Sequence, residues 1–165
     1  MYRSKDFMLM DVMGISGRKM GFIRDVLVNF HSGYVIGFCI SPYKIFQKTH
    51  SILKEDIITF NSHMVVKETR DNKGLKLSEF KGMDVFDISG NIVGMIEDII
   101  FDDNTFKING VVISTGLIRN LIDGKKIFLI SELILGEKNV LYFNENTKMS
   151  FVTIPHELME VDYDE

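Results

Sequence analysis

Two stretches of the sequence decide the fold: GISGRKMGFIRDVLV at residues 14–28 and DISGNIVGMIEDIIF at residues 87–101. They lie 73 residues apart and share the pattern I-S-G-x-x-[MV]-G-x-I-x-D, which three apolar residues follow. The same offset aligns GFCIS at residues 37–41 with GVVIS at residues 110–114. Because this period exceeds that of a solenoid repeat, the sequence predicts two homologous small domains in tandem.

Each copy of the repeat has the pattern of short β-strands. Ser-Gly pairs at residues 16–17 and 89–90 separate apolar segments, as hairpin turns do, and the residues after them alternate with period two. Long amphipathic helical patterns are missing, and only single helical turns are predicted, at residues 55–57 and 131–133. The predicted fold class is therefore all-β, with two tandem small β-barrels of five to six short strands each, closed to remove their sheet edges.

The predicted domain boundaries divide the charge unequally. We place the domains at residues 1–74 and 75–150, followed by an acidic C-terminal tail at residues 151–165. Residues 1–76 carry twelve Lys/Arg against seven Asp/Glu, whereas residues 77–165 carry seven against sixteen. This asymmetry indicates that the two halves attract each other or face different partners.

Repeated positions also predict structural roles. Gly21 and Gly94 lie inside strand patterns, where we expect β-bulges that bend the strand. Asp25 and Asp98 are equivalent acids, and we expect them to accept backbone hydrogen bonds rather than to form a catalytic pair. Cys39 aligns with Val112, which predicts a buried apolar position rather than a nucleophile.

The residues that could take part in catalysis or metal binding form no recognisable motif, so the sequence predicts that the protein is not an enzyme. A single cysteine excludes an internal disulfide framework and multi-cysteine metal sites, and the four histidines are scattered without metal-ligand spacing. Nucleophile-elbow, P-loop and zinc-protease motifs are missing from the sequence. We therefore assign no catalytic, cofactor-binding or metal-binding residue and expect no cofactor.

The second copy carries a recognisable family motif. GMDVFDISGNIVGMIEDI at residues 82–99 resembles the opening of PRC-barrel domains, and residues 55–58 and 131–134 resemble the closing pattern. The family includes a domain of the photosynthetic reaction-centre H subunit, the C-terminal part of the ribosome maturation factor RimM, and sporulation-related proteins of Firmicutes. The resemblance implies protein–protein contact rather than catalysis.

Three functions are open at this stage. The first is a non-catalytic, sporulation-related adaptor or scaffold that binds another protein. The second is an accessory factor in ribosome or RNA maturation that binds a ribosomal protein or RNA, which requires a continuous basic patch on the first half. The third is a small-molecule site in the cleft between the barrels. Since targeting and membrane-spanning patterns are missing, we expect a cytoplasmic protein without membrane insertion.

Two semi-apolar loops are the candidate interaction sites. They occupy equivalent places in the two copies, at residues 42–48 and 116–122. Such loops present docking surfaces, or else they cap the barrels or join them to each other. The candidate contact residues are Tyr43, Ile45, Phe46, Leu117, Ile118 and Leu121.

Overall fold

The computed structural model describes residues 1–43, 48–71, 74–116 and 124–143, and it is built mainly from β-strands. These strands form two sheets of seven strands each, which confirms the all-β class with two tandem β-units. The predicted helical turns are also confirmed, as 3-10 helices at Lys54–Asp56 and Ile130–Glu132.

The two sheets share one topology. The strands of the first sheet are β2 (Asp11–Gly14), β3 (Lys19–Asn29), β4 (Tyr34–Ser41), β5 (His50–Leu53), β6 (Ile57–Phe60), β7 (His63–Val66) and β8 (Leu75–Lys76). The strands of the second are β1 (Tyr2–Arg3), β9 (Asp84–Phe86), β10 (Ile92–Phe101), β11 (Ile108–Ser114), β12 (Lys126–Phe128), β13 (Leu133–Leu135) and β14 (Asn139–Tyr142). Their orders are β5-β4-β3-β2-β7-β6 and β12-β11-β10-β9-β14-β13, so each repeat folds in the same way.

Hydrogen bonds do not close either sheet within the described ranges. The two end strands of the first sheet, β5 and β6, are consecutive in the chain, and the 3-10 helix Lys54–Asp56 joins them. The second sheet has the same arrangement at β12 and β13, around Ile130–Glu132. The backbone of this turn forms hydrogen bonds within the turn. It therefore does not continue the ladder of hydrogen bonds between strands that a closed barrel needs.

The seventh strand of each sheet comes from the other copy. β1, at the start of the first copy, pairs with β10 of the second, with Tyr2 opposite Phe101 and Arg3 opposite Ile100. In the equivalent exchange, β8 at the start of the second copy pairs with β3 of the first. This exchange explains why each sheet has more strands than the predicted five to six. The domain boundaries at residues 74 and 150 stay a prediction.

Aromatic side chains join the two copies in a shared core. Phe7, which follows β1 and the 3-10 helix Ser4–Asp6, stacks on Phe38 of the first copy and Phe101 of the second, at ring-centroid distances of 5.0 and 5.4 Å. Phe60 and Phe106 complete the cluster, with ring centroids 6.4 Å apart. Four of these rings are buried and Phe60 packs against them partly buried, so the copies share one hydrophobic core.

Backbone hydrogen bonds also cross between the copies. Val35 N–H donates to the Phe106 carbonyl at 2.8 Å, and Ile108 N–H donates to the Gly33 carbonyl at 2.8 Å. The described contacts between the copies therefore involve the β3–β4 turn and the opening segments. Of the two candidate loops, residues 44–47 and 117–123 lie outside the described residues.

The repeated aspartates anchor the exchanged segments, which confirms that they accept backbone hydrogen bonds. Asp98 is buried and accepts the Arg3 Nε–H at 3.0 Å, the Ile99 N–H at 2.9 Å and the Ser4 hydroxyl. Asp25 accepts the Val26 N–H at 2.9 Å and, from the start of the second copy, the Ser78 N–H at 3.3 Å. Each acid therefore bonds its own strand and the segment that arrives from the other copy.

Register shifts confirm the predicted bulges. Between β9 and β10 the register shifts from Ile92 to Gly94, and between β2 and β3 it shifts beside Gly21. A Cβ placed on Gly94 would lie 2.5 Å from the Ser114 carbonyl oxygen, and one on Gly21 would lie 2.2 Å from that of Ser41. Glycine is required at both positions because the neighbouring strand passes directly over them.

Gly94→Ala should lower the free energy of unfolding by about 1–3 kcal/mol, because a methyl group there overlaps backbone atoms that cannot easily move. Urea denaturation followed by circular dichroism measures this loss. Gly14→Ala is the control, since its Cβ would lie 3.5 Å from the Met20 sulfur, an ordinary contact. Equal stability of the two variants would contradict the close-approach explanation.

Asp98→Ala should destabilise the protein more than Asp25→Ala, although the two positions are equivalent. We expect Asp98→Ala to lower the free energy of unfolding by about 2–3 kcal/mol. This is less than the effect of breaking a fully buried ion pair, because the Arg3 side chain is 24% exposed. Asp25→Ala removes an acceptor from two backbone N–H groups and should cost about 1–2 kcal/mol. Chemical denaturation of both variants checks the order, and equal losses would show that the Arg3 contact adds no stability.

Candidate interaction surfaces

The cysteine has the environment predicted for a core residue. Cys39 is 7% exposed, and burial raises the pKa of its thiol above the ordinary value. A protonated, buried thiol is a poor nucleophile. The described residues contain no group of three His, Cys, Asp or Glu side chains placed to bind one metal ion.

The acidic turn at Asp102 is also structural. Its carboxylate accepts the Asn104 N–H at 3.1 Å, and the Thr105 N–H and hydroxyl at 2.8 Å each. These bonds, first of all the one from the Thr105 backbone, lower the pKa of Asp102. Asp102 therefore has a structural role at the tip of the β10–β11 hairpin.

Tyr43 borders a basic pocket on the first sheet. The pocket has a volume of about 640 Å³, and no acidic side chain belongs to its described walls. We use the name basic pocket for the space lined by Arg18, Lys19, Met20, Pro42, Tyr43, Lys48, His50 and Thr69. The turn between β2 and β3 supplies the first cations, and the chain entering β5 supplies the others.

Three cations of the basic pocket have no acidic partner within the described ranges. None of the ion pairs between described residues involves Arg18, Lys19 or Lys48. Arg70, next to the pocket residue Thr69, is by contrast paired with two acids, Asp56 at 2.9 Å and Glu68 at 2.8 Å. Arg18, Lys19 and Lys48 therefore bring positive charge to the pocket that no ion pair between described residues neutralises.

Tyr43 is the one candidate contact residue in the described part of the chain. It is 49% exposed, its hydroxyl donates a hydrogen bond to the Asp11 carboxylate, and its ring lies 5.9 Å from that of Phe22. The Asp11 contact raises the pKa of the Tyr43 hydroxyl. Ile45, Phe46, Leu117, Ile118 and Leu121 lie outside the described residues.

An exposed apolar row crosses four strands of the second sheet. Register places Ile134 opposite Leu141, Leu141 opposite Phe86, and Phe86 opposite Ile92. Residues in register point to the same face, with neighbouring side chains in contact. Ile134, Leu141 and Ile92 are 51%, 38% and 63% exposed, and Phe86 is half-buried. We call these four residues the apolar row.

The first sheet has a different set of residues along the same path. There, strand pairing places Thr59 opposite Val65, Val65 opposite Met13, and Met13 opposite Lys19. The middle pair stays apolar, but both ends are polar where the second sheet has Ile134 and Ile92. The two copies thus share a backbone and present different side chains along this path, which is polar at both ends in the first sheet and apolar throughout in the second. Sequence reasoning missed the apolar row, because only strand register places its members side by side.

A smaller groove lies between the copies. It measures about 310 Å³, and the β3–β4 turn forms one wall. The other lining residues come from β11 and from the segment around Ile130–Glu132. Its walls include His31, Ser32, Lys107, Asn109 and Ser131, so it is not the dry apolar cavity that the small-molecule hypothesis requires.

Comparison with known proteins agrees with the motif. A family model described as PRC-barrel domain matches residues 72–159, just over half of the chain. The match includes the whole apolar row and confirms the resemblance stated from the sequence. No curated protein matches the chain. Within the described residues, no helix is long and apolar enough to cross a membrane.

Tyr43 should titrate above the ordinary range of tyrosine, because ionisation breaks its hydrogen bond to Asp11 and places two negative charges together. The difference in ultraviolet absorbance between wild type and Tyr43→Phe, followed with pH, isolates this residue. Asp11→Asn should lower its pKa toward the ordinary value. An unchanged titration in that variant would contradict the contact.

Proposed function

The chain belongs to the PRC-barrel domain family, and from this premise we propose that it is a non-catalytic adaptor that binds a partner protein through the apolar row of its second sheet. PRC-barrel domains are generally non-catalytic. The observation that carries the proposal is the row itself, in which Ile134, Leu141 and Ile92 are exposed in register on one sheet face. We also propose that the adaptor acts in the cytoplasm.

The apolar row has properties suited to docking. Contiguous exposed apolar residues on a soluble protein lose unfavourable contact with water when a partner covers them. Met95, on the same strand as Ile92, is 45% exposed, and Phe143, directly after β14, is 37% exposed. A rigid sheet holds the row, so a partner orders few side chains on binding. A sporulation-related role for this adaptor stays a prediction from the resemblance.

The basic pocket favours a second candidate function, an accessory role in ribosome or RNA maturation. Cations beside an exposed aromatic ring are a combination that RNA-binding surfaces use. Against this candidate, Arg70 is neutralised, and the His50 ring lies 3.7 Å from the Asp71 carboxylate. Next to the pocket, acidic side chains therefore offset part of the positive charge that a nucleic acid would contact.

Variants that copy the first sheet onto the second test the adaptor proposal. Ile92→Lys with Ile134→Thr introduces the residues that the first sheet has at the ends of its row, Lys19 and Thr59. In affinity capture from a lysate of the source organism, wild type should retain a discrete protein at both low and high salt. The double variant should lose that protein by at least tenfold, because burial of two isoleucines contributes roughly 3 kcal/mol or more.

Ile58→Thr is the matched control, since Ile58 is 48% exposed on the first sheet and lies outside the row. It should capture the same protein as wild type. Retention by the double variant would refute docking through the apolar row. Capture of ribosomal proteins or RNA that are lost at high salt would instead support the second candidate, because phosphate contacts weaken with ionic strength.

A further inference from the structure

We propose that the basic pocket binds an acidic peptide segment, and that its occupant is the chain's own C-terminal end, residues 157–165. This site lies on the first sheet and does not depend on docking at the apolar row. The inference rests on the pocket cations that have no acidic partner among the described residues, the composition of residues 157–165 and the length of chain that connects the two.

The first argument is charge complementarity. Arg18, Lys19 and Lys48 line the pocket without an acidic partner among the residues that the structure describes. The terminal nine residues, ELMEVDYDE, contain five acids and no Lys or Arg. Several opposite charges within one Debye length, about 10 Å at 0.1 M salt, attract each other appreciably even near water.

The second argument is the shape and chemistry of the pocket. Besides cations, its walls include Met20, Pro42 and the half-exposed ring of Tyr43. The terminal segment also contains apolar residues, Leu158, Met159 and Val161, between its acids. A volume of about 640 Å³ suits a few side chains of a peptide, and the mixed walls suit mixed side chains.

The third argument is reach. The described residues end at Phe143, and Glu157 lies fourteen positions further along the chain. An extended chain of that length spans roughly 46–50 Å. A compact fold of 165 residues has a radius of gyration of about 15 Å and hence a diameter of about 40 Å. The acids of residues 157–165 therefore reach most of the surface, and tethering raises their local concentration toward the millimolar range.

An acidic peptide fits the pocket better than a nucleic acid does. The chain carries a net charge of −4, which opposes the approach of a polyanion. Acids also flank the pocket, since Asp11 bonds Tyr43 and Asp71 lies 3.7 Å from His50. A long phosphate backbone would pass these acids, whereas a peptide segment of a few residues need not. When the acidic segment occupies the pocket, it competes with any other anion for the same cations.

The test uses the full chain with one spin label. Glu165→Cys introduces the labelling site, and Cys39→Val removes the native thiol with the residue that the second copy has at Val112. In ¹⁵N-labelled protein at low salt, the amide signals of Arg18, Lys19 and Tyr43 should broaden. The broadening should disappear at high salt and in Arg18→Glu/Lys19→Glu, whereas Lys67→Glu/Lys81→Glu, with the same change in net charge outside the pocket, should retain it.

A charge exchange then separates specific binding from a folding defect. Replacing the four acids that remain in the labelled segment, Glu157, Glu160, Asp162 and Asp164, by lysine should abolish the broadening alone and restore it in combination with Arg18→Glu/Lys19→Glu. Broadening that is absent in the wild type, or spread evenly over the surface, would overturn the proposal. So would a short single-stranded RNA that shifts the pocket amides while the terminal segment leaves them unchanged, since that outcome assigns the pocket to nucleic acid.

Discussion

The structure depends on the exchange of opening segments between the two copies of the repeat. β1 completes the second sheet and β8 completes the first, so each copy supplies part of the other's hydrogen bonding. Asp98 and Asp25 hold the arriving segments through charge-assisted and backbone hydrogen bonds. Phe7 then stacks on rings of both copies. These contacts link the stability of the two sheets, because neither opening segment is bonded only within its own copy.

The same backbone carries two different surfaces. Equivalent turns present Arg18 and Lys19 on the first copy and Asn91 and Ile92 on the second. Since both sets are exposed, these differences leave the core unchanged and alter only what the surface attracts. At these turns the first copy exposes two cations, whereas the second exposes an amide and an apolar side chain. Such a difference suits the proposed adaptor, in which the second copy would bind a partner protein and the first copy would bind residues 157–165 of the same chain.

Much of the fold could be predicted because residues that recur at equivalent positions of both copies mark places where the fold requires them. Gly21 and Gly94 recur at bulges, and Asp25 and Asp98 recur at buried acceptor positions, so the pattern indicated structure rather than catalysis. The two-residue strands β1 and β8 were missed, because two residues show no periodicity. β6 and β13 were missed because each follows a 3-10 helix within a segment that was read as a single turn.

The candidate sites, too, could be predicted from the sequence only in part. Tyr43 was predicted as a contact residue from its place in a loop, and the structure places it beside cations from two distant segments. Nothing in the sequence brings Phe86, Ile92, Ile134 and Leu141 together, since strands distant in the chain must first pair in register. The sequence by itself determined the repeat, the strands, the bulges and the charge of each half, because these follow from local chemistry. Only the tertiary structure decided the strand exchange, the basic pocket and the apolar row, because each depends on contacts between residues far apart in the chain.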